Sequence, residues 1–481
     1  MNYKMVFYTI GHLLRLEGLL MILPAICALV YGEKLGPFII PIAILLVLGT
    51  LLSLKRPADS KLTAKDGFVI VALSWLFLSI FGMLPYLLSN SVSSPVDAFF
   101  ETASGFSTTG ASVINDVEIL PRGVLFWRSF TNWIGGMGVL VFMLAVLPQA
   151  DIKNSRMFHI MRAEVPGPIV GKLVSSLKHS AMIMYLIYLG LTAIQFVLLC
   201  FKIDAYDALL ISFSTAGTGG LSCMNASIAA YNSSYVEIVT TAFMVIFAVN
   251  FNLYYFSLTG KVLQAIKSEE LIWYISIYAS ATLIVAVNIL KYYDSFGEAL
   301  RYSAFQTATI MSTTGFVTAD FSIWPTLSQG ILLLLMFLGG CAGSTCGGLK
   351  ISRIIILIKA AVREIRYAIQ PRSVKSVRLE SKVVDNDVVR STENYLVLYI
   401  LIFIASIFFV SIFDDLSLIE NISAVASSFN NIGPGLGRLW GGNFSCYSDI
   451  SKIILSADML LGRLELYPFL ILLTPSTWKV K

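Results

Sequence analysis

Ten stretches of this chain are each long and apolar enough to cross a lipid bilayer as a helix, which takes about 20 residues at 1.5 Å apiece. They centre on 18–31, 37–54, 67–88, 124–148, 181–201, 236–258, 271–290, 331–360, 395–413 and 456–474. A water-soluble core has no room for so many. Of the 481 residues 57% are hydrophobic and 13% charged, and a mean hydropathy of +0.79 leaves no space for a large soluble domain to dilute it. These figures make the chain a polytopic membrane protein and exclude a cytosolic enzyme, a nucleic-acid binder and a disordered scaffold. The six cysteines (Cys27, Cys200, Cys223, Cys341, Cys346, Cys446) form no C-x-x-C pair and stand near no histidine cluster. They read as small apolar residues rather than a zinc site or a disulfide framework. The first apolar run follows Lys4 and Arg15 as a leader's would, but a second begins after only Tyr31 to Gly36, which suits a helical hairpin.

Basic residues fall in alternate loops. Lys55, Arg56, Lys61 and Lys65 form one group; Lys153, Arg156, Arg162, Lys172 and Lys178 a second; Lys261 and Lys267 a third; and a long basic segment runs from Lys350 to Arg390. The positive-inside rule makes these cytoplasmic. Lys4, Lys479 and Lys481 then put both termini on that side. The intervening segments are acidic (Asp97, Glu101, Asp116, Glu118; Asp204, Asp207; Asp294, Glu298; Asp414, Asp415, Glu420) and would draw cations to the outer mouth.

An internal repeat is the most informative motif. Phe100-Glu-Thr-Ala-Ser-Gly-Phe-Ser-Thr-Thr-Gly110 aligns without gaps on Phe305-Gln-Thr-Ala-Thr-Ile-Met-Ser-Thr-Thr-Gly315, with seven of eleven positions identical. Weaker copies are Phe213-Ser-Thr-Ala-Gly-Thr-Gly-Gly220 and Phe429-Asn-Asn-Ile-Gly433. Gly110, Gly220, Gly315 and Gly433 are spaced 110, 95 and 118 residues apart, each between two spans. The expected fold is therefore all-α: four parallel helix–pore loop–helix repeats around a central pore, plus an N-terminal two-helix hairpin. The corresponding segments are 1–60 for the hairpin, then 61–165, 166–267, 268–390 (with an intramembrane loop) and 391–481.

The linkers carrying the repeats are too short to cross the membrane and too apolar for surface loops, so they should dip in and return around water. Asp97, Asp207 and Glu420 each precede the aligned glycine by 13 residues, where an acid suits the first turn of a short helix; the third unit has Tyr302 there and Glu298 farther upstream. The negative end of such a helix then faces the pore. A dehydrated alkali ion needs several oxygens and no strong fixed charge, which backbone carbonyls of a T-T-G turn supply. The T-T-G and G-T-G-G cores hold no carboxylate, which argues against calcium.

These residues resemble the superfamily of potassium transporters and channels containing the Trk, Ktr and plant HKT proteins, most closely the bacterial Trk membrane subunit. Supporting motifs are Phe130-Thr-Asn-Trp-Ile-Gly-Gly-Met-Gly138, Met161-Arg-Ala-Glu-Val-Pro-Gly-Pro168, Gly339-Gly-Cys-Ala-Gly-Ser-Thr-Cys-Gly-Gly-Leu-Lys350 and Leu461-Gly-Arg-Leu-Glu-Leu-Tyr-Pro468. The resemblance implies K+ uptake across a bacterial inner membrane through a carbonyl-lined filter made by Thr108, Thr109 and Gly110; Thr218, Gly219 and Gly220; Thr313, Thr314 and Gly315; and Asn431, Ile432 and Gly433. In the second unit the G-T-G-G run leaves open whether Gly219 or Gly220 matches Gly110.

Five glycines between 339 and 348 should break the helix from Ile331 to Lys359, unless they serve close helix packing. The resemblance makes this segment a movable gate beneath the filter, formed by Gly339, Gly340, Gly343, Ser344, Thr345, Gly347, Gly348 and Lys350 together with Arg463. Arg463 and Glu465 fall within the last apolar span, where charge is costly; the resemblance points Arg463 into the pore, and snorkelling is the plainer alternative. Arg128 and Asp458 suggest only helix ends and local pairing. The three histidines read as interfacial.

No phosphate-binding or dinucleotide motif is present, so no nucleotide is expected on this chain. The resemblance implies a homodimer and a separate cytosolic, ring-forming, nucleotide-binding Trk regulatory subunit (TrkA-like) docking on basic loops such as 149–179 and 350–390. A proton- or sodium-coupled K+ symporter is the alternative; it would need a mid-membrane titratable or ion-binding site and typically inverted rather than parallel repeats. A membrane enzyme would need a clustered nucleophile, metal site or acid–base pair, and none is visible.

Overall fold

The computed structural model describes residues 1–55, 57, 62–138, 177–371, 376–380 and 382–478. The regular elements among the described residues are helices, apart from one short antiparallel pair, β1 (Arg378–Leu379) and β2 (Lys382–Val383). The N-terminal hairpin is longer than the hydropathy suggests. Its first arm runs from Tyr3–Leu20 into Ile22–Val30 with a one-residue interruption at Met21, and Gly36–Ser53 returns beside it. A Cβ on Gly11 would stand 2.8 Å from the Gly49 carbonyl and one on Gly49 2.7 Å from the Gly11 carbonyl, so paired glycines let the two backbones touch.

Four units of outer helix, pore helix and inner helix follow. Their outer helices are Ala64–Gly82 (continued by Leu84–Leu88), Leu177–Leu199, Glu269–Ile289 and Asn386–Phe413. The pore helices are Pro95–Phe106, Ala205–Gly217, Phe296–Met311 and Leu418–Phe429. Each opens on a side chain that caps a free backbone N–H: Ser94, Asp204, Ser295 and Ser417, the last with Glu420 in a reciprocal capping box. First-turn acids Asp97, Asp207, Glu298 and Glu420 complement the positive helix ends. The third unit's departure now has a structural reason. Its pore helix has 16 residues against 12 or 13 in the others, so Glu298 occupies the first turn and Tyr302 lies one turn inside.

The inner helices are shorter than the expected spans; the interruption at the glycine run 339–348 is the expected one, and those in units two and four are not. The four helices are Arg122–Gly136, Ser234–Phe247, Thr326–Leu338 and Asp449–Arg463, of 13 to 15 residues each. Among the described residues six helices are long and apolar enough to cross a membrane, and a seventh, Ser234–Phe247 with Phe251–Leu258, is bent by 92°. The expected span 236–258 is thus two helices at nearly a right angle. Likewise 331–360 stops at Leu338 and resumes at Ile351, and 456–474 breaks at Leu464–Leu466 before Tyr467–Leu473. Arg463 and Glu465 consequently sit at a chain break rather than inside a span.

Several expected features lie outside the described residues. They include residues 139–148 of the fourth span, the basic segment with Lys153, Arg156, Arg162 and Lys172, the motif 161–168, His159, and the terminal Lys479 and Lys481.

Candidate functional site

Each pore helix ends in the same backbone device. The residue two before the aligned glycine lies in the left-handed region, with φ of 58° at Thr108, 56° at Thr218, 53° at Thr313 and 57° at Asn431. The next residue donates its N–H to the carbonyl five positions back: Thr109 to Ser104 and Gly219 to Ser214 at 2.9 Å, Thr314 to Thr309 at 2.8 Å, Ile432 to Ser427 at 2.9 Å. This is a Schellman cap, which normally places glycine at the left-handed position. Threonine is strongly disfavoured there, by roughly 1–2 kcal/mol, so three of the four units hold strained backbone at one level. The aligned glycines also have positive φ, 82° at Gly110, 59° at Gly220, 88° at Gly315 and 100° at Gly433. The pattern settles the alignment of the second unit, where Gly220 and not Gly219 is the structural counterpart of Gly110.

The four strands close into a ring. A Cβ added to Gly110 would overlap the Gly219 carbonyl oxygen, one on Gly220 that of Thr314, and one on Gly315 that of Ile432. At Gly433 the facing oxygen is that of Thr109, at 2.8 Å, and the circuit returns to the first unit. Every contact runs from a glycine to the carbonyl just before the next unit's glycine, so the units follow one another in chain order around an axis. Hydroxyls add local support: Ser107 bonds Thr109 and Ser312 bonds Thr314, both at 2.7 Å.

Beneath the ring the first inner helix ends at Gly136 and the other three are interrupted, and these points touch. The segment 339–350 lies among them. The Cys341 N–H donates to the Ala248 carbonyl at 2.9 Å and the Phe251 N–H to that of Gly343 at 3.1 Å, tying the segment to the bend in unit two. The Thr345 hydroxyl donates to the Phe247 carbonyl at 3.3 Å and the Ser344 hydroxyl to that of Cys341 at 2.6 Å. Gly347 touches the ring itself, its N–H donating to the Thr313 hydroxyl at 2.8 Å. Arg463 donates to the Thr345 carbonyl at 2.7 Å, to Gly136 at 2.6 Å and to Gly135, bridging units four, three and one. Lys350, at φ 71°, is buried and turns its ammonium back on the Cys346 carbonyl. Of the loop glycines, Gly339, Gly343 and Gly348 have positive φ, and a Cβ on Gly340 would stand 2.7 Å from the Cys346 sulfur.

The sequence analysis misses Glu270 and Lys452 and the partners of several residues it names. Glu270 straddles the loop from the third outer helix, accepting from the Ala342 N–H at 2.7 Å and the Ser352 N–H at 3.1 Å. Glu465, in the break of unit four, is ion-paired with Arg353 just after the loop. Glu101, expected at the outer mouth, is instead fully buried behind the first strand of the ring. It pairs with Arg128 at 2.6 Å and accepts from the Ser112 hydroxyl and Val113 N–H. Arg128 goes beyond local pairing, because it also donates to the Ser222 carbonyl at 2.7 Å and so ties unit one to unit two. Lys452 of the fourth inner helix pairs with Asp97 at 2.6 Å and ties unit four to unit one. Ion-pair partners 27 to 355 positions apart leave no local signature.

Comparison with known proteins agrees with this architecture. The sequence profile of the TrkH family, described as a cation transport protein, matches residues 36–479. The chain is 36% identical to the Trk system potassium uptake protein TrkH of Vibrio parahaemolyticus over the full length of both. It is 33% identical to the TrkH protein of Escherichia coli K12, again over both full lengths, and 33% identical to that strain's TrkG over 99% of each. The crystal structure of the potassium transporter TrkH from Vibrio parahaemolyticus superposes with a TM-score of 0.90 at 34% identity, covering all of both chains. Full-length similarity at this identity, on a fold with four capped strands around one axis, shows that the chain belongs to the TrkH family of cation transport proteins.

Proposed function

We propose that this multi-pass membrane protein takes up K+ through the ring of backbone carbonyls at Thr108, Thr109 and Gly110; Thr218, Gly219 and Gly220; Thr313, Thr314 and Gly315; and Asn431, Ile432 and Gly433. The observation that carries the reading is the fourfold recurrence of one left-handed cap at one level, with each glycine against the next unit's carbonyl. An ion leaving water needs oxygens on all sides at matched distance, and four equivalent strands offer them without a fixed charge that would trap it. The pore helices aim their partly negative ends at the same point. Relatives named as potassium uptake proteins support K+ as the transported ion.

In this reading the segment 339–350 is the gate. Its glycines, with Ser344, Thr345 and Lys350, fill the level below the filter, and Arg463 holds it by the Thr345 carbonyl while placing a positive charge beside the path. Opening requires those bonds to be exchanged. The relatives' designation as Trk system proteins implies further components, and a nucleotide-binding regulatory subunit on the basic cytoplasmic face would supply the force. The protein then resides in a bacterial inner membrane as a homodimer with cytoplasmic termini.

The test is radioactive rubidium uptake into K+-loaded liposomes containing the purified protein alone, with external K+ or Na+ as competitor. Uptake blocked by K+ and not by Na+, without a gradient of a second ion, is the expected result. Equal blocking by both would remove the selectivity, and a requirement for a proton or sodium gradient would make the protein a symporter.

A further inference from the structure

The ring has one junction unlike the other three. Between units one and two, two and three, and three and four a Cβ on the glycine would overlap the next unit's carbonyl oxygen, whereas a Cβ on Gly433 would stand 2.8 Å from that of Thr109, still too close but markedly less crowded. At that same junction the left-handed residue is an asparagine, and its side chain spans the gap. Asn431 Nδ2 donates to the Thr109 hydroxyl at 3.0 Å and to the Met459 carbonyl of the fourth inner helix at 2.8 Å. Among the described residues it makes the one side-chain hydrogen bond between two filter strands. The equivalent threonines are turned elsewhere: Thr218 to its neighbour's carbonyl and Thr313 to the Gly347 N–H.

We propose that the Asn431 carboxamide is a positioning residue for ion selectivity, a clasp that closes the carbonyl ring at its loosest junction. The proposal rests on the filter assignment above and adds to it a role for a side chain rather than a carbonyl. Its chemistry is suited to the task. Asparagine accepts a left-handed backbone better than threonine does, and its amide has two hydrogens for two acceptors. One bond fixes strand one by Thr109, whose hydroxyl is also held by Ser107. The other anchors strand four to a buried helix, so the separation of the strands is set by a rigid element. Without the clasp this junction can widen, and a wider ring loses its advantage for the larger, more easily dehydrated ion.

Asn431→Gly isolates the side chain, because glycine keeps the left-handed backbone at no cost. In the rubidium assay we expect Na+ to become a stronger competitor by about ten-fold, the equivalent of one good hydrogen bond lost from the discriminating geometry. Thr109→Val removes the acceptor and should do the same, and the double variant should be no worse than either single one. A merely structural role would lower thermal stability without moving the competition ratio. If Asn431→Gly does not yield folded protein, Asn431→Thr, which installs the residue of units one to three, must show the same shift. Unchanged discrimination in a folded variant, with a selective parent, overturns the clasp and leaves the filter assignment standing; a parent that does not discriminate overturns both.

Discussion

The level of the carbonyl ring and the level just beneath it are built on opposite plans. Above, four segments, two closely alike and two diverged, reach one backbone conformation, with the same cap, a left-handed residue at the same place and the same glycine. Below, the four inner helices end in four different ways. The first stops at Gly136, the second bends by 92°, the third gives way to a loop from 339 to 350, and the fourth turns through Glu465 and Leu466 at φ 54° and 67°. Equivalence is required where an ion must meet the same field from all sides. It is not required where helix ends only have to meet and part, and there each unit uses its own contacts.

The contrast can be broken most forcefully from behind the filter. Arg128→Met leaves Glu101 buried and unpaired, a loss of about 3–5 kcal/mol, and should lower the thermal midpoint in detergent severely. Glu101→Gln in the same background should recover part of it, since neither charge is then stranded. The glycine series probes the ring directly. Gly315→Ser puts a Cβ into the Ile432 oxygen and 2.9 Å from Pro434, so Na+ should compete far better for uptake, whereas Gly433→Ser meets its oxygen at 2.8 Å and should be milder. Equal effects at both positions would mean that the four junctions are alike.

The lower level should respond in flux rather than in selectivity. Arg463→Ala, or deletion within 339–348, removes what holds the loop, and rubidium uptake without any regulator should rise while competition by Na+ stays as it was. A loop variant that changes the ion preference would erase the distinction between the two levels. The smallest effect belongs to the bend in unit two. Asn250 caps the Asn252 N–H at 2.9 Å, so Asn250→Ala should cost about 1 kcal/mol and raise basal uptake slightly.

The upper level was largely legible in the sequence because its signals are short. A first-turn acid and the glycine lie 13 residues apart in units one, two and four and 17 in unit three, within the reach of local propensity. The slip of one residue in Gly217-Thr-Gly-Gly220 could not be resolved, since glycine at either place tolerates positive φ, and the φ of 56° at Thr218 decides it. The lower level was legible only at its glycines. The run Phe247-Ala-Val-Asn-Phe251 contains neither glycine nor proline, and its bend is held by Cys341 and Gly343 from another unit. In unit four Pro468, next to the first residue of the following helix, was a usable sign of a break.

What the sequence by itself determined is the class and the repeat. Apolar runs of bilayer length require a membrane, and a motif recurring at four places predicts four similar turns, because both follow from the intrinsic preferences of adjacent residues. The order of the units around the axis, the burial of Glu101 with Arg128, the hydrogen bonds of Asn431 across the ring and the bend after Phe247 were decided by the tertiary structure alone. Each depends on partners brought together from distant parts of the chain, and the free energy that holds a left-handed threonine or a buried ion pair exists only once those partners are in place.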